Sequence, residues 1–385
     1  MAENIILVSH YENPVTGAHY RFDRLARRFL ENDFNVIWLS PVREEYSDFK
    51  NVQWLRPLER IFFLPAQIKQ LFFAVRHWRF FRKLSIQNGV VVSFGETNLF
   101  TLTLISYLTG FASSIGVRSD VVEVQKYKSK SSLFSYLKNK LKFIVLKGMW
   151  GFCYRAASQI VTQTDFERDR AIDNFHLQPE KVSIVENDIP QKCTDYSQKM
   201  PDLPDAPKNF LFVGSQNDLE RKGWYFLRAC LPPLKEAVPT IQCLTLVNIP
   251  NQEVQKVQEN RYAFTIRAYP YVSNLLEIMS GHDVVLMPSY WDPAPNVALE
   301  AIGLGIPVVG SDTPGLAAIL KDNGLLFENG NQSDFLRCLG DLAKKEGYKN
   351  AKENIVRIRK YYQFDWESVY IDTIMQVSTS RSVRA

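Results

Sequence analysis

Short apolar runs alternate with helical patterns along this chain, twice over, on either side of a proline-punctuated stretch. In the first half, Ile5–Val8, Asn35–Leu39, Gly89–Phe94, Ser113–Val117, Gln159–Thr162 and Lys181–Val185 read as buried strands. A basic helical pattern over residues 21–31 follows the first of them. The second half repeats the scheme with Asn209–Gly214, Cys243–Val247, Tyr262–Ile266, Asp283–Met287 and Val308–Val309. Strands that alternate with helices imply parallel sheets covered on both faces, so two such series predict two Rossmann-like α/β domains. In such sheets ligands sit outside the carboxyl ends of the strands. The boundaries expected are residues 1–190 for the first domain, 191–207 for a linker, 208–362 for the second domain and 363–385 for a terminal helix and tail. The linker rests on Pro190, Pro201, Pro204 and Pro207 in a polar stretch without apolar periodicity.

Composition narrows the class. With 46% apolar and 23% charged residues over 385 positions, the chain has the makings of a folded globular protein with a sizeable core. The five cysteines are scattered without a CxxC pair, which points to free thiols and away from zinc or a disulfide framework. The start lacks the basic region and cleavage site of a signal peptide, and the longest apolar run, residues 99–111, is too short to span a bilayer. A cytoplasmic location is the expectation.

The most chemically informative stretch runs from Pro288 to Ala301. Pro293 and Pro295 keep the chain before Asn296 out of a helix. Asn296 reads as an N-cap, Val297 to Leu304 as helix, and Gly305 with Pro307 as its end. A helix N-terminus offers unpaired N–H groups and a positive dipole end to a phosphate. Asp292 in the loop and Glu300 one turn into the helix flank that anion site. Carboxylates beside a phosphate site repel it unless they accept hydrogen bonds from sugar hydroxyls, so the pattern suits a sugar nucleotide. Other candidates are the turn Gly214-Ser215 after a strand, the Arg221-Lys222-Gly223 group that follows it, and the loop around Gly17, Ala18 and His19 after the first strand. His10 and His19 read more readily as structural than as catalytic.

These residues resemble the signature of glycosyltransferase family 4, the retaining enzymes of the GT-B fold. The matching elements are Pro288-Ser289, Asp292, Glu300-Ala301, Gly305-Ile306-Pro307-Val308-Val309 and Ser311-Asp312. The resemblance is strong over residues 210–327 and weaker before Val161. It implies two Rossmann-like domains facing a central cleft, with a C-terminal helix crossing back to the first. It implies that Asp292, where the family usually has Glu, contacts the transferred sugar, and that Glu300 binds the ribose hydroxyls. Lys222 would neutralise the donor diphosphate, and Arg221 would stand in for the family Arg at the place of Ser215. Gly214, Ser215, Asn296 and Val297 would line the donor, with Tyr271 against the base. Gly17, Ala18 and His19 would serve the acceptor, and Asp120 or Arg118 would face the transferred sugar where relatives carry a His. The implied reaction moves a hexose-type sugar from a nucleotide diphosphate sugar to a carbohydrate or lipid-linked acceptor, in cell-surface polysaccharide or glycolipid synthesis. No metal or other cofactor is called for. The alternative is an inactive GT-B scaffold that binds a nucleotide sugar or a partner glycosyltransferase.

The net charge of +5 is unevenly spread. Residues 56–83 hold seven bases against Glu59, and residues 118–150 hold eight against Asp120 and Glu123. Aromatics are interleaved with both, and Leu133, Leu137, Leu141 and Ile144 fall on one helical stripe flanked by Lys140 and Lys147. That pattern points to an anionic membrane surface as a partner, with ordinary helix faces as the alternative. No nucleic-acid-binding motif accompanies it.

Overall fold

The computed structural model describes residues 4–9, 17–40, 43–55, 75–85, 87–95, 98–117, 133–197, 205–216, 218–270, 272, 274–321 and 325–382. Described residues up to Glu186 and from Asp365 on form one compact unit, and those from Asn187 to Phe364 form a second.

In the first unit the six apolar runs become strands, and the described residues add β3 Val52–Trp54, which was not read from sequence; the seven are β1 Asn4–Val8, β2 Asn35–Leu39, β3, β4 Gly89–Phe94, β5 Ala112–Gly116, β6 Gln159–Thr162 and β7 Val182–Ile184. All pair in parallel, in the order β3-β2-β1-β4-β5-β6-β7. Every residue of β1, β5 and β6 is buried, as expected of a sheet covered on both faces. The connecting helices are α1 Gly17–Glu31, α2 Trp78–Leu84, α3 Leu99–Thr109, α4 Leu133–Ala156 and α5 Asp165–Phe175. Phe81 of α2, Leu102 and Ile105 of α3, and Trp150 and Cys153 of α4 join Val91, Ile115 and Ile160 in one core. Gly17, Ala18 and His19, read from sequence as loop, form the first turn of α1, so this helix begins four residues earlier than its basic pattern suggests.

The second unit opens with α6 Gln191–Ser197, inside the stretch read as a linker. That reading needs correcting: Cys193 is fully buried and packs with Ile189, Ala301 and Ile302. Cys193 and the partly buried Tyr196, on a helix of seven residues, are too little periodicity to see in a polar sequence. There follow β8 Asn209–Val213, α7 Trp224–Ala237, β9 Cys243–Val247, α8 Asn251–Gln258, β10 Thr265–Tyr269, α9 Leu275–Met279, β11 Val284–Met287, α10 Asn296–Leu304, β12 Val308–Ser311, α11 Pro314–Leu320, β13 Leu326–Phe327, α12 Gln332–Ala343 and α13 Lys345–Tyr361. Six parallel strands lie in the order β10-β9-β8-β11-β12-β13. Strand β10 starts three residues later than expected. Tyr262 and Phe264 instead stack on each other, centroids 5.4 Å apart, and pack against the core from irregular chain. One apolar cluster lies around Phe212, Trp224, Leu231 and Phe335, another around Leu211, Val285, Leu299 and Ile302. Leu211 and Phe212 are neighbours on β8, so the two clusters cover opposite faces of the sheet.

The last helix, α14 Trp366–Ser382, packs on α1, β4 and β5 and so belongs to the first unit, as its expected crossing back requires. Trp366 and Tyr370 are fully buried, with Phe94 6.4 and 5.4 Å from their ring centroids. Arg24 pairs with Glu367 at 2.5 Å and Arg28 with Asp365 at 3.0 Å, joining α1 to the start of α14. All five cysteines are free and buried. No helix among the described residues is long and apolar enough to cross a membrane.

Just before β11, His282 is buried with both ring nitrogens engaged, Nδ1 with the Ile278 carbonyl at 2.7 Å and Nε2 with the Thr245 hydroxyl at 2.6 Å. Burial holds its pKa below the ordinary value of 6.5. The unfolded chain therefore takes up a proton at a pH where the folded chain does not. Stability is unaffected by this group well above pH 6.5 and falls as the pH drops from there towards the folded pKa. His282→Gln should reduce the loss of urea resistance between pH 7.5 and 5.5, while lowering stability at pH 7.5 through the lost hydrogen bonds. An unchanged slope would place the titration elsewhere.

Candidate functional site

In each sheet the strand order reverses beside the first strand, between β1 and β4 in one unit and between β8 and β11 in the other. Neighbouring loops diverge at such a switch point and leave a crevice at the carboxyl ends of the strands. In the second unit the two loops concerned are residues 214–223 after β8 and 288–295 after β11, which carry Lys222 and Asp292.

Those two side chains meet: Lys222 Nζ is bonded to the Asp292 carboxylate, and both groups are largely shielded from solvent. Beside them, Arg221 donates to the Trp291 carbonyl at 2.7 Å and pairs with Asp218, while its Nη1 lies 3.9 Å from the Asp292 carboxylate. Arg221 thus ties the first loop to the second through the main chain, and the Tyr290 N–H returns a bond to the Arg221 carbonyl at 2.8 Å. Two more carbonyls of the second loop are also held. Ser311 Oγ donates to Ser289 at 2.5 Å, and the Asn329 amide donates to Tyr290 at 3.2 Å. Sequence reasoning missed Asn329, Asp218 and the Ser311 hydroxyl contact, because a hydrogen bond to a distant carbonyl leaves no local pattern.

Two glycines set the spacing. Gly223 has φ +75°, and a Cβ there would lie 1.7 Å from the Pro288 carbonyl oxygen. A Cβ on Gly315, in the first turn of α11, would lie 1.9 Å from the Asp292 carbonyl oxygen. The Pro288–Pro295 loop is therefore gripped by close backbone approaches on two sides, which only glycine permits. Thr313-Pro314-Gly315 reads in sequence as ordinary helix punctuation, so the second grip was not visible there. Behind Gly223, Trp224 donates its indole N–H to the Glu253 carboxylate at 2.9 Å. Arg228 and Lys256 bond the same carboxylate, each at 2.6 Å. Burial alone would raise the Glu253 pKa, but hydrogen bonds from Lys256 and Trp224 and the charge of Arg228 outweigh it and hold the carboxyl below its ordinary range. That network fixes the start of α7 and with it Lys222.

Helix α10 begins one residue earlier than expected. Pro295 is its N-cap and Asn296 its first residue, because Pro295 at φ −69° and ψ 114° leads the chain straight into the helix. Asn296, Val297 and Glu300 are half-buried, whereas the rest of α10 is buried. Glu300 lies four residues after Asn296 and three after Val297, so both are its neighbours on the helix surface. Glu300 Oε2 is itself shielded from solvent. Gly214 is buried at the end of β8, where its N–H bonds the Val247 carbonyl at 2.9 Å, and the Ser215 carbonyl accepts from Asp218 N–H at 3.0 Å.

The structure thus brings Lys222, Arg221 and Asp292 together, and sets Asn296 and Val297 beside Glu300 on the helix that the Asp292 loop enters. Gly17, Ala18 and His19 lie in the first unit, at the helix start after β1. The His19 pKa is held below its ordinary value by burial. Asp120, Arg118, His10, Tyr271 and the residues Pro14, Val15 and Thr16 lie outside the described residues. Among the described residues no three His, Cys, Asp or Glu side chains gather as a metal site.

The family model "Glycosyl transferases group 1" matches residues 207–345, which hold the whole of this loop constellation. Glycogen synthase of Mycobacterium tuberculosis is 24% identical over 223 residues, covering 56% of this chain and 52% of that protein. The chain thus matches about half the length of this curated relative. Among solved structures, sucrose-phosphate synthase of Thermosynechococcus elongatus superposes with a TM-score of 0.72 at 15% identity, over 100% of both chains. Anabaena HepE in complex with UDP and glucose gives 0.66 at 14% identity, over 98% of this chain and 100% of that one. The fold is that of the GT-B glycosyltransferases.

The grip at Gly223 is testable against a matched control. Gly305 has the same φ of +75° but open space around it. Gly305→Ala should cost only the left-handed strain, about 1–2 kcal/mol. Gly223→Ala should cost a further ~1–3 kcal/mol of overpacking against Pro288. Urea unfolding that shows equal losses would mean that the loop has room to move.

Proposed function

We propose that the protein is a retaining glycosyltransferase. It transfers a hexose-type sugar from a nucleotide diphosphate sugar to a carbohydrate or lipid-linked acceptor, in the synthesis of a cell-surface polysaccharide or glycolipid. The observation that carries this reading is the meeting of Lys222 and Asp292 at the β8/β11 switch point, beside the N-terminus of α10. The group 1 family match over the same residues and the UDP held by the similar HepE structure support it.

On this reading the donor diphosphate lies against the α10 N-terminus, where the dipole and N–H groups favour an anion. Lys222 neutralises the charge that grows on the diphosphate as the sugar leaves, and such stabilisation is commonly the largest catalytic contribution. In the structure Lys222 is paired with Asp292. The diphosphate takes over the ammonium and leaves the carboxylate to accept hydrogen bonds from the sugar. Glu300 accepts from the ribose hydroxyls. The leaving diphosphate removes the proton of the attacking acceptor hydroxyl on the same face, so no separate base is required and the anomeric configuration is kept. Arg221, held by Asp218 and the Trp291 carbonyl, supports the loop and adds positive charge 3.9 Å from Asp292.

Lys222→Ala should cut turnover by about 10²–10³-fold, the loss of roughly 2.7–4 kcal/mol in the transition state. Glu300→Gln should weaken nucleotide binding about tenfold or more in calorimetry, given ~1.5–3 kcal/mol per charge-assisted hydrogen bond. Unchanged binding would remove Glu300 from the nucleotide site. Asp292→Asn should reduce turnover much more than affinity for the free nucleoside diphosphate, which carries no sugar. Equal losses would assign Asp292 to the nucleotide instead. A wild-type protein that binds nucleoside diphosphates yet neither hydrolyses nor transfers any sugar nucleotide would be the non-catalytic scaffold.

A further inference from the structure

Helix α4 is apolar on two opposite faces. Trp150, Cys153 and Tyr154 are buried, with Phe143 and Leu146 packed partly against the first unit's core. On the other side Ile144, Val145, Met149 and Phe152 are exposed, at 59%, 54%, 40% and 62%. Large apolar side chains facing solvent at helical spacing need a partner or an apolar phase.

The neighbouring helices continue this surface. Helix α3 packs beside α4 and exposes Tyr107 at 84%, and α2 packs beside α3 and exposes Trp78 at 41%. The charge of the three helices is one-sided. Residues 75–84 carry Arg76, Arg79, Arg82 and Lys83, all exposed. Helix α3 carries no charged residue. Helix α4 carries Lys138, Lys140, Lys142, Lys147 and Arg155. None of the three segments contains an Asp or a Glu. On the far side of α4, helix α5 carries both signs, with Asp165, Asp169 and Asp173 beside Arg168 and Arg170, and so marks the edge of the acid-free surface.

We infer that the α2–α3–α4 surface of the first unit docks on an anionic lipid bilayer, with Ile144, Val145, Met149 and Phe152 entering the interface between headgroups and acyl chains. Charge complementarity selects this occupant. A second copy docking through the same patch would set one acid-free basic surface against another. A negatively charged leaflet attracts the bases and offers the apolar side chains a medium. The face differs from the stripe read in sequence. Of that stripe only Ile144 has a described side chain, and it is Val145, Met149 and Phe152 that extend the exposed face. The inference stands apart from the proposed reaction, since the loops around Lys222 and Asp292 belong to the other unit.

The test is co-sedimentation of the full-length protein with vesicles of phosphatidylcholine alone or of equimolar phosphatidylcholine and phosphatidylglycerol. Binding is expected only to the latter, with release at high salt as the charges are screened. Ile144→Ser with Phe152→Ser should lower the bound fraction at least tenfold at low salt, and so should Arg79→Glu with Arg82→Glu. Circular dichroism and thermal melts should stay as in the wild type, since all four side chains are exposed. Three outcomes overturn the inference: no wild-type binding at low salt, equal binding to both vesicles, or binding by the folded double variants at the wild-type level. A concentration-dependent dimer that the Ile144→Ser/Phe152→Ser variant loses would assign the face to a second copy instead.

Discussion

Two backbone approaches that exclude any side chain govern the second unit's working end. Where Gly223 meets Pro288 and Gly315 meets Asp292, the chain is closer than a Cβ allows. The loop between them carries the Asp292 carboxylate on main chain held from both sides. The hydrogen bonds from Ser311, Asn329 and Arg221 to three successive carbonyls then fix its path residue by residue. Rigid support of this kind is what positions a reacting group to within a fraction of an ångström.

Charge is handled in two ways in this protein, and the contrast separates scaffold from site. Glu253 is surrounded by Trp224, Arg228 and Lys256, so its negative charge is satisfied within the fold. Arg43 in the first unit is likewise enclosed, paired with Asp23 and Glu45 and lying over the rings of Trp38 and Tyr46. Such clusters hold elements in register. Lys222 and Asp292 instead neutralise each other at the carboxyl ends of the strands, beside the N-terminus of α10.

Much of the fold was legible because burial on both faces of a parallel sheet writes itself as uninterrupted apolar runs, such as Ile5–Val8 and Val284–Met287. The exposed edge strand β10 alternates, and its start was misplaced onto the apolar pair Tyr262 and Phe264, which pack without pairing. Helix α6 escaped because only Cys193 and Tyr196 speak for its burial, too few to show a period. At the site, the spacing of Asp292, Asn296, Val297 and Glu300 was readable, since one loop and one helix generate it. Long-range partners were not. Nothing near Asn329 in sequence indicates that it holds Tyr290, and the exposed side of α4 became distinguishable from its buried side only once the neighbouring helices were in place.

The return of α14 to the first unit has a consequence for how the molecule is made. Trp366 and Tyr370 fill the space beside Phe94, yet they are translated only after the whole of Asn187–Phe364. At roughly 5–20 residues per second, a ribosome spends on the order of ten seconds or more on that interval. Throughout it the nascent first unit waits with an aromatic cavity over β4 and β5 unfilled, while the second unit, whose described residues run on without interruption by the first, is free to fold. The order of completion is therefore the reverse of the order of synthesis.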